Sequence, residues 1–162
     1  MNKAAFFDRD GTINVNTGHL HEVEKLVFVP GAPELIRRYN ESGYLVIVVT
    51  NQAGIAKGYY TEEQMHKLHR VMNARLKVEY GAHIDAFYFC PHHPDFTGPC
   101  NCRKPNTAML EKAIRDHDID PLKSVMFGDK EHDVKCAQKM GIEGRYIQCE
   151  LGLSDKRMWD VT

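Results

Sequence analysis

The segment AAFFDRDGT at residues 4–12 contains the most informative pattern in this chain. Its first four residues, Ala4 to Phe7, are apolar on both faces, which is typical of a buried parallel strand. Asp8 and Asp10 follow at the strand's end, and Gly11 allows a sharp turn there. Such a carboxylate pair can divide the work of phosphoryl transfer, because one can attack phosphorus while the other protonates the leaving oxygen. A solvated Asp-Gly turn is the alternative for this segment taken alone.

Four further apolar runs alternate with helical patterns along the chain. The runs are Tyr44 to Val49, Ala86 to Phe89, Ser124 to Phe127 and Arg145 to Ile147. The helical patterns contain Leu35, Ile36 and Tyr39; Met65, Leu68, Met72 and Leu76 after a capping box at Thr61 and Gln64; Leu110, Ala113 and Ile114; and Val134, Ala137 and Met140. This alternation predicts an α/β fold, a parallel sheet of about five strands with helices on both faces, in one domain over residues 1–162.

Composition narrows the possible partners. The 162 residues include 21 basic and 22 acidic side chains, for a formal net charge of -1. This balance and the lack of a basic stripe argue against a nucleic-acid partner. The run from Leu45 to Val49 is far too short to cross a membrane. No export signal is recognisable, so we expect the cytoplasm, where cysteines serve as thiols or metal ligands. We expect a monomer that acts on a small molecule.

Three more polar segments are predicted beyond strand ends, where ligands bind in such sheets. Thr50-Asn51-Gln52 could hold phosphoryl oxygens through a hydroxyl and backbone amides. Lys104 would place a point charge on a transferring phosphoryl group, while Arg103 could take a second anion in a bidentate fork. In Gly128-Asp129-Lys130-Glu131-His132-Asp133, Asp129 would bind Mg²⁺ and Asp133 would orient the metal's water. Each segment taken alone is also compatible with an ordinary turn, helix start or surface.

The order and placement of these motifs resemble the haloacid dehalogenase superfamily of phosphatases, from about residue 3 to about residue 147. The resemblance implies that Asp8 forms an aspartyl phosphate, and that Asp10 protonates the leaving oxygen and then activates water. Thr50 and Lys104 would hold the phosphoryl oxygens. Mg²⁺ would lie between Asp8, the carbonyl of Asp10 and Asp129. No large insertion follows the first two motifs, so a capless member is expected, with its pocket shaped by loops 14–30 and 90–106.

Three of the five cysteines cluster in the second of these loops. Cys90-Pro91-His92-His93 and Cys100-Asn101-Cys102 bring three thiols and an imidazole into one short stretch. Cys₃His is a common structural zinc set, and thiolate ligands favour zinc over magnesium. We therefore predict Zn²⁺ bound by Cys90, His92, Cys100 and Cys102, with unpaired loop cysteines as the alternative. We prefer His92 to His93 as the ligand because the Cys-x-His spacing allows the thiol and the imidazole to bind one ion from a short loop.

The zinc loop resembles that of two bacterial families, the D-glycero-D-manno-heptose 1,7-bisphosphate 7-phosphatases and the histidinol-phosphate phosphatases. Residues 14–21, 50–58 and 128–130 are more similar to the heptose family. This resemblance implies a sugar-phosphate substrate in carbohydrate metabolism, in the synthesis of lipopolysaccharide precursors, with histidinol phosphate as the alternative substrate. It also implies a substrate site lined by Asn16, Thr17, Gly18, His19, Thr50, Asn51, Gln52, Ala53, Arg103, Lys104 and Lys130.

Overall fold

A computed structural model describes residues 1–153, and its centre is a parallel sheet of five strands. The strands are β1 (Ala4–Phe7), β2 (Leu45–Asn51), β3 (Ala86–Cys90), β4 (Val125–Gly128) and β5 (Glu143–Tyr146). Their order is β3-β2-β1-β4-β5, with every neighbouring pair parallel. The predicted fold class and strand number are confirmed. The predicted domain end at residue 162 lies outside the described residues.

Helices connect the strands on both faces of the sheet. They are α1 (Ala32–Glu41), α2 (Ala53–Ala56), α3 (Glu62–Arg75), α4 (Pro94–Thr97), α5 (Ala108–His117), α6 (Glu131–Lys139) and α7 (Ile147–Glu150). A π-helical turn, Leu76–Tyr80, extends α3, and short 3₁₀ turns span Val23–Lys25 and Pro121–Lys123. The predicted capping box is present, because the Thr61 hydroxyl accepts from the Gln64 amide at 3.2 Å and the Gln64 side chain accepts from the Thr61 amide at 2.8 Å.

The core has two layers, one on each face of the sheet, and β1 contributes to both. Ala5 and Phe7 pack in the layer that contains α1 and α3, whereas Ala4 and Phe6 pack in the layer that contains α5 and α6. All four side chains are fully buried. Because both faces of β1 are covered, the strand holds the next residue, Asp8, firmly at the carboxyl edge of the sheet.

The prediction for the last strand, Arg145 to Ile147, is wrong at both ends. The strand spans Glu143–Tyr146, and Ile147 begins α7. This strand lies at the edge of the sheet and is half exposed, so most of its residues are polar. Only its apolar end could be recognised as a strand in the sequence. Within residues 1–153 no helix has the length and apolar character needed to span a membrane.

Candidate active site

The carboxyl ends of the three central strands bring the predicted motifs together. Asp8 follows β1, Thr50 lies near the end of β2, and Asp129 follows β4; these strands are neighbours in the sheet. Asn51 ties the fourth segment to them, because its carboxamide oxygen accepts from the Lys104 amide at 2.9 Å and its nitrogen donates to the Lys104 carbonyl at 3.4 Å. The side chain of Lys104 is thereby directed beneath the strand ends.

Lys104 is a buried cation that joins two carboxylates. Its Nζ lies 2.7 Å from Asp8 Oδ1 and 2.7 Å from Asp133 Oδ1, and it donates to the Val49 carbonyl at 2.8 Å. Burial alone would lower the pKa of Lys104, but the charges of Asp8 and Asp133 outweigh this and raise the pKa above its usual value. The amine therefore stays protonated and can neutralise anionic oxygen, but it cannot act as a base.

Three buried carboxylates surround the same point. Asp8, Asp129 and Asp133 each offer an oxygen within 4.8 Å of the others. The pKa of Asp8 is raised well above its ordinary value by burial and by the charge of Asp133, and Lys104 offsets this only in part. Two ammonium groups, Lys104 and Lys130, whose Nζ lies 3.6 Å from Asp129 Oδ2, face these three carboxylates, so the cluster keeps a surplus of one negative charge. A divalent cation with a preference for oxygen ligands, such as Mg²⁺, fits this cluster.

Two glycines give the carboxylates room. A Cβ on Gly11, whose φ is +82°, would lie 2.3 Å from Asp129 Oδ2. A Cβ on Gly128 would lie 2.2 Å from the Cβ of Asp133. Both positions require glycine because the acidic side chains pass against the backbone.

Asp10 is held apart from the acidic cluster. Its Oδ1 accepts from Arg9 Nε at 3.0 Å, from Arg9 Nη2 at 2.8 Å and from Asn14 Nδ2 at 3.0 Å. Its Oδ2 accepts from Gln52 Nε2 at 3.2 Å. The side chain lines the pocket and lies outside the group of three carboxylates that could hold a metal ion.

Above these groups is a pocket of about 280 Å³. It is lined by Asp8, Asp10, Asn16, Gly18, His19, Asn51, Gln52, Ala53, Tyr60, Arg103, Lys130 and His132. The predicted substrate residues Thr17, Thr50 and Lys104 are not part of this lining: Thr17 is exposed outside it, and the other two are buried. Tyr60 and His132 also line the pocket but were not predicted, although His132 lies within the motif at 128–133 and Tyr60 two residues after the segment 50–58.

Tyr60 fixes the orientation of Gln52. Its hydroxyl donates to Gln52 Oε1, so the amide nitrogen faces Thr50 Oγ1, at 2.8 Å, and Asp10. Burial raises the pKa of Tyr60 to about 12, which keeps the hydroxyl a donor. The ring of His21 stacks on Tyr60 with centroids 5.0 Å apart. Gln52 thus positions two residues of the site in addition to lining the pocket.

The four predicted zinc ligands also come together. Cys90, His92, Cys100 and Cys102 offer ligand atoms that all lie within 4.8 Å of one another. The Sγ of Cys90 lies 3.7 Å from that of Cys100 and 2.6 Å from that of Cys102, and His92 Nδ1 lies 3.2 Å from Cys102 Sγ. Tetrahedral zinc with Zn–S bonds of about 2.3 Å separates its ligands by about 3.8 Å. The donor set fits Zn²⁺, and so does the separation of Cys90 from Cys100. The Cys90 and Cys102 sulfurs, at 2.6 Å, would have to move apart by about 1.2 Å to bind one ion.

The zinc cluster lies next to the pocket. Arg103 follows Cys102 directly, and its Nη1 approaches the His92 carbonyl at 3.5 Å. Arg103 lines the pocket wall. The loop that carries the thiols therefore also positions this guanidinium.

Comparisons with known proteins agree with this geometry. A family model described as HAD-like hydrolase matches residues 101–149. The D-glycero-beta-D-manno-heptose-1,7-bisphosphate 7-phosphatase of Haemophilus ducreyi is 40% identical over 149 residues, which are 90% of this chain and 82% of that protein. The D-glycero-alpha-D-manno-heptose-1,7-bisphosphate 7-phosphatase of Burkholderia mallei is 42% identical over 154 residues, 92% of this chain and 81% of that protein.

A solved structure is similar to this chain in its fold. The D,D-heptose 1,7-bisphosphate phosphatase of B. bronchiseptica, complexed with magnesium and phosphate, superposes with a TM-score of 0.80 and 29% identity over 88% of this chain and 78% of that one. The present chain is therefore a phosphatase of the haloacid dehalogenase-like family, and within it belongs to the family of the D-glycero-D-manno-heptose-1,7-bisphosphate 7-phosphatases.

Proposed function

We propose that this phosphatase removes the C7 phosphate of D-glycero-D-manno-heptose 1,7-bisphosphate, with Mg²⁺ as cofactor and through an aspartyl phosphate on Asp8. The names of its relatives support the substrate. The environment of Asp8 supports the chemistry: a protonated amine lies 2.7 Å from it, two further carboxylates lie within 4.8 Å, and the second carboxyl of the motif faces the pocket.

In the first half of the proposed reaction, a carboxylate oxygen of Asp8 attacks phosphorus. The bond from phosphorus to the sugar oxygen breaks, and the Asp10 carboxyl donates its proton to that oxygen. The ammonium of Lys104 and the hydroxyl of Thr50 stabilise the phosphoryl oxygens. Mg²⁺ held by Asp8, the Asp10 carbonyl and Asp129 would supply the remaining positive charge for the transferring group.

The second half returns the enzyme to its starting state. The carboxylate of Asp10 takes a proton from water as that water attacks the phosphorus of the aspartyl phosphate. Asp8 leaves as a carboxylate, and inorganic phosphate is released. One residue thus acts as acid and then as base, which requires its carboxyl to stay in one place throughout.

The second phosphate of the substrate needs cations away from the transferring group. Arg103 and Lys130 both line the pocket. A guanidinium can bind a phosphate in a bidentate manner, and an ammonium adds a point charge. We assign Zn²⁺ a structural role, in which it holds the loop that carries Arg103 and takes no part in the chemistry.

A comparison of the hydrolysis of several substrates tests this proposal. The purified enzyme should be assayed with Mg²⁺ on both anomers of heptose 1,7-bisphosphate and on histidinol phosphate, with ³¹P NMR to show which phosphate leaves. We expect loss of the C7 phosphate, with a kcat/KM well above that for histidinol phosphate. Faster hydrolysis of histidinol phosphate, or loss of the C1 phosphate, would refute the proposed substrate.

A further inference from the structure

An arginine with no exposed surface lies between the two aspartates of the first motif. Arg9 is 0% exposed. Each of its three guanidinium nitrogens has a hydrogen-bond partner. Nε and Nη2 donate to Asp10 Oδ1, Nη2 also donates to the Leu20 carbonyl at 2.9 Å, and Nη1 points to His69 Nε2 at 3.2 Å. A buried charge is costly unless its donors are satisfied, so each of these contacts matters.

His69 comes from α3, outside all the motifs. Its ring is stacked on Phe87 of β3, with centroids 4.3 Å apart and planes 10° from parallel. Burial and the positive charge of Arg9 lower the pKa of His69 to about 2, so the imidazole is neutral. A neutral imidazole can accept on one nitrogen. Since Arg9 can only donate, Nε2 of His69 must be the acceptor and Nδ1 must carry the proton.

The contacts at Asp10 distinguish its two oxygens. Oδ1 accepts three hydrogen bonds, two of them from Arg9 and one from Asn14. An oxygen surrounded by three donors has no acceptor to which it could give a proton. Oδ2 has one contact, from Gln52 at 3.2 Å. Oδ2 is therefore the oxygen of Asp10 that is more open to a group bound in the pocket.

We propose that Arg9 and His69 are a positioning pair, in which His69 orients the Arg9 guanidinium so that Asp10 presents Oδ2 to the leaving oxygen. This inference rests on the acid–base role of Asp10 in the proposed function. Without the pair, only the side-chain amides of Asn14 and Gln52 would hold the Asp10 carboxylate, and it could turn more easily towards Lys104. The pair prevents this by saturating Oδ1 on the side away from the pocket.

The test compares two leaving groups. A sugar oxygen needs a proton as it leaves, whereas p-nitrophenolate leaves without one. His69→Leu removes the acceptor for Arg9 and should lower kcat/KM by about ten- to a hundredfold on the best sugar phosphate, the loss expected of a charge-assisted hydrogen bond. It should lower kcat/KM on p-nitrophenyl phosphate far less. We compare kcat/KM because it covers the steps up to departure of the leaving group and excludes the later hydrolysis, in which Asp10 acts as a base on both substrates. His69→Gln, whose amide oxygen can accept from Arg9, should restore most of the loss.

His66→Leu is the matched control. His66 lies on the same helix, and its ring packs edge-on against Phe89 with centroids 5.4 Å apart. We expect it to change the two rates equally, if at all. Equal losses on both substrates in His69→Leu, or no recovery in His69→Gln despite native-like folding by circular dichroism, would overturn the positioning role.

Asp10→Asn separates this inference from the proposed function. If Asp10→Asn lowers kcat/KM on the sugar phosphate more than on p-nitrophenyl phosphate while His69→Leu does not, the acid role of Asp10 stands and the positioning pair is refuted. If Asp10→Asn shows no such difference in kcat/KM, the acid role itself fails.

Discussion

Gly128→Ala places a methyl group where the structure has no room for one. The added Cβ would lie 2.2 Å from the Cβ of Asp133, 2.4 Å from its Oδ2 and 2.5 Å from its Cγ. Ordinary contact begins at 3.4 Å, so Asp133 must move by about 1.2 Å, since close packing leaves little slack. Asp133 now lies 2.7 Å from Lys104. The same shift would take that distance to about 3.9 Å, which is beyond hydrogen-bonding range.

The effect on rate follows from the lost contact. A hydrogen bond between charged groups contributes roughly 1.5–3 kcal/mol, and a displacement of about 1 Å in an active site can cost about a hundredfold in rate. We therefore expect kcat to fall by about ten- to a hundredfold and the Mg²⁺ concentration for half-maximal activity to rise. Breaking a buried ion pair costs about 3–5 kcal/mol, which a domain of ordinary stability can survive.

Steady-state kinetics at varied Mg²⁺, with urea unfolding in parallel, measure both effects. Gly144→Ala is the matched control, because the three atoms nearest its added Cβ, at 3.0–3.2 Å, all belong to Val134 of the same helix. We expect Gly144→Ala to lose some stability and to keep wild-type kcat and Mg²⁺ dependence. Wild-type kcat in Gly128→Ala, or the same kinetic change in both variants, would refute this account of Asp133.

His69, the predicted zinc ligands and Arg103 can each be tested separately. Between pH 6.5 and about pH 5, the free energy of unfolding of the wild type should fall by about 1.5 kcal/mol more than that of His69→Gln, as urea titrations can show. The reason is that unfolded His69 binds a proton below about pH 6.5, whereas the folded residue, with a pKa of about 2, does not, so stability is lost as pH falls. Equal losses would contradict the neutral His69. Elemental analysis should find about one zinc per wild-type chain, and Cys102→Ser should lose it, whereas Asp129→Asn should keep it. Loss from both would refute two separate metal sites. Arg103→Ala should lower kcat/KM on the 1,7-bisphosphate by about ten- to a hundredfold and cost a monophosphate much less. Equal losses would remove the second-phosphate role.

The sequence predicted the positions of the motifs well because the carboxyl ends of parallel strands all lie at the same edge of the sheet. Asp8, Thr50 and Asp129 meet since their strands are neighbours in the sheet. The fold class followed from the same alternation of strands and helices, and it is confirmed. The boundary of β5 was missed because an exposed edge strand needs no continuous apolar run.

The contacts within the site could not be predicted in the same way. Arg9 stood in the motif as the residue between two aspartates, and nothing in the pattern indicated that its charge is buried. His69 lies sixty positions away on a helix, where a histidine on an apolar face suggests ordinary packing. The ion pair of Lys104 with Asp133 likewise depends on the Gly128 backbone passing against α6. These are tertiary contacts between motifs, and local patterns do not encode them.

Chemical trapping of the aspartyl phosphate would show whether Asp8 is the nucleophile. The enzyme would be mixed with substrate and Mg²⁺, quenched in acid during turnover and treated with borohydride, which reduces an acyl phosphate to an alcohol. Peptide mass spectrometry should then find homoserine at position 8 and unchanged aspartate at position 10. The signal should be absent without substrate and in Asp8→Asn. Homoserine at another aspartate, or an Asp8→Asn enzyme that turns over at the wild-type rate, would contradict the proposed role of Asp8.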